Sequence, residues 1–239
     1  MTTASRSLQA DLSRWSTGHA FAMIMVAIAV AAGQPPWLPC AAGALSFALL
    51  AWYCRGRWTP AGRFGPANAI TMARLAGMFA LPFLPPLLIA LWGTLLLALD
   101  GLDGRVARRT GTSGDFGAFL DQECDAFFML LLCLLLHRLP GGPGAWILLP
   151  GLLRYLFVLF VRIARPPVPK EPRSRHAIWI FVLTMAALLL CFAAHPGHLD
   201  DVLPFAALMS LALAGSFGDS LYRMYRRSSQ GERRASRSS

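Results

Sequence analysis

Apolar residues along this chain run in unbroken stretches, each closed by proline, glycine or charge, where a soluble helix would keep them to one face. A bilayer core of about 30 Å takes about 20 helical residues to cross. Eight stretches approach that length: 19–33, 37–54, 68–84, 86–100, 115–137, 144–164, 177–194 and 202–222, with "LPFLPP" interrupting the third and fourth. A soluble bundle of so many apolar helices would need polar stripes at helical spacing on its outer surface, and few segments carry one. The pattern predicts an all-α, polytopic membrane helix bundle.

The polar remainder divides the chain. Residues 1–18 read as disordered or interfacial, and 227–239, "RSSQGERRASRSS", as a disordered basic tail. Between the second and third runs, "RGRWTPAGRFGPAN" is expected along the inner membrane surface, with Trp58 and Phe64 at headgroup depth. The expected organisation is therefore 1–60, a polar start and two-helix membrane hairpin; 61–226, a six-span membrane domain; and 227–239, the tail.

Composition supports the membrane reading: of 239 residues 56% are hydrophobic and only 14% charged. The net charge of +10 is divided among short loops beside apolar runs, so anionic lipid headgroups are the expected partner and nucleic acid is not. Basic residues also fix orientation. With the N-terminus inside, the inner segments collect Arg14, Arg55, Arg57, Arg63, Arg105, Arg109, Arg162 and the C-terminal arginines, whereas the outer loops hold only Arg138. The positive-inside rule then places both termini on the cytoplasmic face of an integral membrane protein, the inner membrane in a bacterium. The five cysteines fall singly in or beside the runs and suggest neither disulfides nor a zinc site. His19, His137, His195 and His198 near run ends read as interfacial polar residues.

Against this background the stretch from Asp100 to Asp125 is anomalous, holding six of the chain's twelve acidic residues. Carboxylates near hydrocarbon must be compensated. Asp100 and Asp103 are three apart on one helical face, which Gly104 and Ala107 continue; Gly117, Asp121 and Asp125, four apart, form a second stripe. The short, glycine-rich "RRTGTSGDFG" between them lays the two helices antiparallel with the stripes facing. Four converging carboxylates suit a hard divalent cation, Mg²⁺ or Mn²⁺, which in turn clamps phosphate oxygens. Small residues on the same faces leave room for a substrate, and Arg108 is placed to meet a phosphate or a base edge.

The pattern Asp100-x-x-Asp103-Gly104-x-x-Ala107-Arg108, eight residues, Gly117-x-x-x-Asp121-x-x-x-Asp125 resembles the signature of the CDP-alcohol phosphotransferases, also called CDP-alcohol phosphatidyltransferases. Upstream, "GPANAITMAR" is similar to the element opening that family's first core helix, with Asn68, Thr71 and Arg74 in place. The resemblance spans roughly 66–222 and implies a six-helix core preceded here by an extra N-terminal hairpin. It also implies a phosphotransferase that moves a substituted phosphate from a CDP-linked lipid donor, CDP-diacylglycerol, to an acceptor hydroxyl and releases CMP in phospholipid biosynthesis. By position, Asp100, Asp103, Asp121 and Asp125 would hold one or two Mg²⁺ or Mn²⁺ ions, and Asp125 would take the acceptor's proton. Asn68, Thr71, Arg74, Gly104, Ala107, Arg108 and Gly117 would bind the CDP donor, and a homodimer is implied.

For the acceptor, Arg154 lies mid-run and either holds an acceptor phosphate in a polar cavity, pairs with Asp115, Glu123 or Asp219, or snorkels. In the basic stretch "VRIARPPVPKEPRSRH", Arg173 and Arg175 are the candidates for a phosphorylated acceptor. Asp115 and Glu123, off the main stripes, read as a solvated loop residue and an ion-pair partner. Two other readings compete. Intramembrane prenyltransferases also hold a diphosphate on paired aspartates and Mg²⁺, but lack the Gly-x-x-Ala-Arg continuation. Ion-coupled transporters keep their carboxylates near the midplane, not at helix ends.

Overall fold

The computed structural model describes residues 3–59, 61–110, 114–164 and 175–235, and the side chains of 7–59, 61–101, 106, 109, 114–164 and 176–224. Among these residues the structure is helical and without strands: α1 (Thr3–Ala31), α2 (Leu38–Tyr53), α3 (Pro66–Met78), α4 (Pro86–Thr110), α5 (Asp115–His137), α6 (Leu148–Ala164), α7 (Arg175–Ala194) and α8 (Leu199–Ala235). This is the all-α polytopic membrane bundle that the apolar runs predict. Ser7–Ala31, Ala145–Ala164, His176–Ala194 and Leu199–Met224 are each long and apolar enough to cross a bilayer; Leu38–Tyr53 and Pro86–Gly101 are shorter apolar helices.

The "LPFLPP" break falls where proline chemistry puts it. Pro82 sits in a single 3-10 turn, Leu81–Phe83, and Pro86 occupies the first turn of α4, where its missing N–H has no helical partner to lose. From there α4 runs unbroken through Asp100 and Asp103 to Thr110, so the signature's first half is one continuous helix.

At the centre of the bundle is α5, packed by α1, α3, α6 and α7. Every residue from Glu123 to Leu136 is buried, as expected of a helix that is apolar on all sides. Close approach depends on small partners: a Cβ at Gly151 on α6 would stand 2.8 Å from Leu130 Cα, so only glycine lets the two backbones meet there.

Two expectations change at the ends of the chain. Residues 7–18 do not form a disordered lead-in but continue α1, with Leu12 and Ser16 buried against the bundle. Their polar composition hides a single buried face. At the other end α8 runs to Ala235, into the stretch read as a disordered tail. The loop after α2 is packed down on helix ends: Trp58 Nε1 donates to the Ala51 carbonyl at 3.0 Å, its ring meets Phe64 edge-on at 5.2 Å, and Arg57 pairs with Asp11 at 2.8 Å.

Nor does the α1–α2 hairpin stand apart from the rest. Ala20, Met23, Phe47 and Leu50 belong to the same continuous core as Phe127 and Tyr155. His19, expected at an interface, is buried: it stacks on Trp15 at 4.5 Å and its Nδ1 lies 2.8 Å from Ser46 Oγ. All five cysteines are buried and unpaired, matching the absence of a disulfide framework.

Candidate active site

Three helices meet where the acidic stretch lies. The C-terminal half of α4 and the N-terminal half of α5 are adjacent because their connection is short, and four-residue spacing brings Gly117, Asp121 and Asp125 to one face of α5. That face is turned to α3. A Cβ at Gly117 would lie 2.8 Å from Asn68 Oδ1, so the glycine is what lets α3 approach. Asn68 is buried and donates from Nδ2 to the Phe64 carbonyl at 2.6 Å; Thr71 is buried and donates to the Ala67 carbonyl at 3.2 Å.

Opposing ligand atoms of Asp100, Asp121 and Asp125 all lie within 4.8 Å of one another. Beneath them sits Arg74 of α3. Its Nη1 is 2.5 Å from Asp100 Oδ1 and 3.1 Å from Asp121 Oδ1, its Nη2 is 3.1 Å from Asp125 Oδ1, and its Nε donates to the Leu96 carbonyl at 3.3 Å. Depth is graded: the Arg74 side chain is 1% exposed and Asp125 11%, whereas Asp121, at 38%, faces the opening. Arg74, a donor-pocket candidate from its place in the sequence element, is thus buried against the carboxylates as a counter-charge. A rigid guanidinium fork suits that task, since one side chain can meet several carboxylates at once.

Three carboxylates converging beside one guanidinium give an acidic, oxygen-rich site of the kind that suits a divalent cation. Hard oxygen donors at this separation fit Mg²⁺ or Mn²⁺. Asp103, Gly104, Ala107 and Arg108 lie on α4 within one to two turns of Asp100, with their side chains outside the described residues.

Residues 64–217 match the family described as CDP-alcohol phosphatidyltransferase. The chain belongs to the CDP-alcohol phosphatidyltransferase family. Membership in it decides among the three functional readings: the chain is a membrane phosphotransferase of CDP-alcohols, not a prenyltransferase or an ion-coupled transporter. No curated protein and no solved structure matches it. The matched region begins just before α3, so α1 and α2 lie outside it.

The acceptor candidates separate. Arg154 pairs with Glu123 at 2.6 Å, one of the three ion-pair partners expected for it. Arg173 lies outside the described residues, and Arg175 opens α7 with its side chain undescribed. The Arg154–Glu123 pair was among those expected from sequence, but Ser16, whose Oγ donates to Glu123 at 3.0 Å, was not. The signal was present: a carboxylate inside a membrane helix needs a partner, and Ser16 is reached only once α1 is seen to extend that far.

Proposed function

We propose that this family member catalyses divalent-metal-dependent transfer of the phosphatidyl group from CDP-diacylglycerol to an acceptor hydroxyl, releasing CMP. The observation that carries this reading is the convergence of Asp100, Asp121 and Asp125, whose ligand atoms lie within 4.8 Å of one another, in a chain of this family.

In the proposed reaction the acceptor oxygen attacks the phosphorus that bears diacylglycerol. The new P–O bond forms as the bridging P–O bond of the diphosphate breaks, and CMP leaves with its electron pair. Asp100, Asp103, Asp121 and Asp125 are assigned to hold one or two Mg²⁺ or Mn²⁺ ions. Bound there, the metal neutralises charge on the diphosphate and on the departing CMP. Asp125, the deepest of the three described carboxylates, takes the proton of the attacking hydroxyl. Arg74 holds the carboxylates in register. Gly104, Ala107 and Arg108 on α4, with Gly117 on α5, line the donor pocket. Asn68 and Thr71, which donate to the Phe64 and Ala67 carbonyls, form its α3 wall. The basic stretch around Arg173 and Arg175 favours an acceptor that carries phosphate. Both termini and the site are assigned to the cytoplasmic face by the distribution of arginine.

The test uses purified full-length protein with CDP-diacylglycerol and a panel of phosphorylated and neutral alcohols. CMP release with Mg²⁺ or Mn²⁺, its loss on chelation, and a new phospholipid identified by mass are expected. Absence of CMP with every alcohol and either metal, or release indifferent to chelation, overturns the proposal.

A further inference from the structure

The α5 helix carries two stripes of four-residue spacing. Gly117, Asp121 and Asp125 face α3 and α4; Asp115, Phe119, Glu123 and Phe127 are offset by two residues, about 200° around the helix, and face the hairpin outside the matched family region. Contact follows that second stripe for its whole length. Gln9 Nε2 donates to Asp115 at 3.4 Å, Trp15 meets Phe119 edge-on at 5.8 Å, Ser16 donates to Glu123 at 3.0 Å, and Phe47 meets Phe127 at 6.0 Å. From the other side Arg154 of α6 closes on the same oxygen of Glu123 that Ser16 meets.

We infer that the α1–α2 hairpin is a positioning element for the carboxylate cluster, fixing the rotation and height of α5 through the contacts of Ser16 and Arg154 with Glu123. Apolar packing alone tolerates sliding and rotation, whereas a buried carboxylate does not. Leaving Glu123, 1% exposed, without donors is costly, so the bonded register is strongly preferred. Ser16 is itself held in place, because its neighbour Trp15 donates to the Ser46 carbonyl at 2.9 Å and His19, one turn on, meets Ser46 Oγ. Since Asp121 and Asp125 flank Glu123 on the same rigid helix, any rotation that strains the Glu123 contacts shifts both carboxylates relative to Asp100. None of these residues touches substrate on this reading; Ser16, Glu123 and Arg154 are positioning residues.

The inference rests on the metal site proposed above, and its test reads metal binding without turnover. Mn²⁺ binding to the purified full-length protein is measured by electron paramagnetic resonance for wild type, Ser16→Ala, Ser16→Thr and Thr184→Ala. Ser16→Ala keeps the Glu123–Arg154 pair but removes the hairpin's bond to Glu123, and is expected to weaken Mn²⁺ binding measurably. Ser16→Thr, which keeps the hydroxyl, restores it. Thr184→Ala removes hydroxyl hydrogen bonds to the Ile180 carbonyl within α7 and to the Met209 carbonyl of α8, and is expected to lower thermal stability with wild-type Mn²⁺ affinity. Wild-type affinity in Ser16→Ala, or equal weakening in Thr184→Ala, overturns the inference. Glu123→Gln supplies a second variant, expected to weaken binding at least as much; unchanged affinity there also overturns it. Wild-type protein that binds Mn²⁺ yet releases no CMP overturns the phosphotransfer reading and leaves the positioning result intact.

Discussion

Replacing Arg74 would separate its two contributions, a charge and a fork of donors. Arg74→Lys keeps the charge, but a compact ammonium does not reach three carboxylates in the way the guanidinium does, so folded protein with reduced CMP release is expected. Arg74→Ala leaves the aspartates without their buried counter-charge, which costs about 3–5 kcal/mol of stability. Because a divalent ion supplies the missing charge, Mn²⁺ should raise the melting temperature of Arg74→Ala more than that of wild type. An equal rise in both would show that the ion does not bind at this cluster. Asp125→Asn retains shape and loses the base; CMP release is expected to fall about 10²- to 10⁴-fold, and wild-type turnover would remove Asp125 from that role.

Between neighbouring helices, separation is set by single small residues. Gly117→Ala drives a methyl to 2.8 Å from Asn68 Oδ1 and pushes α3 from α5 at the level of the cluster. A loss of about 1–3 kcal/mol is expected, with a higher metal requirement for turnover. Gly151→Ala, against Leu130 Cα, should cost about as much in thermal unfolding. The elements were largely legible beforehand because runs, prolines and four-residue stripes are local signals. The stripe through Gly117, Asp121 and Asp125 could be drawn from spacing alone, and the structure brings Asp121, Asp125 and Asp100 together. Two things were not local. Residues 7–18 look polar because only one face of that helix is buried, and the burial of Arg74 depends on α4 and α5 closing over it.

At the scale of the molecule, the absence of any exposed native thiol makes the chain suited to a test of sidedness. A single cysteine at exposed Arg138, between α5 and α6, should react with an impermeant maleimide only from outside the cell, and one at exposed Arg55 only from inside. The reverse pattern would invert the assignment of the site to the cytoplasmic face. The burial of α5 also bears on how the chain enters the membrane during synthesis. Its sequence carries Asp121, Glu123 and Asp125 in succession, and each acidic residue deep in a bilayer opposes insertion by up to about 3 kcal/mol. Alone, α5 is a poor candidate for leaving the translocon. When it emerges, however, Ser16 and Arg74 have already been made, and only Arg154 is still to come. The order of the chain thus supplies two of these three donors before the acceptors that need them.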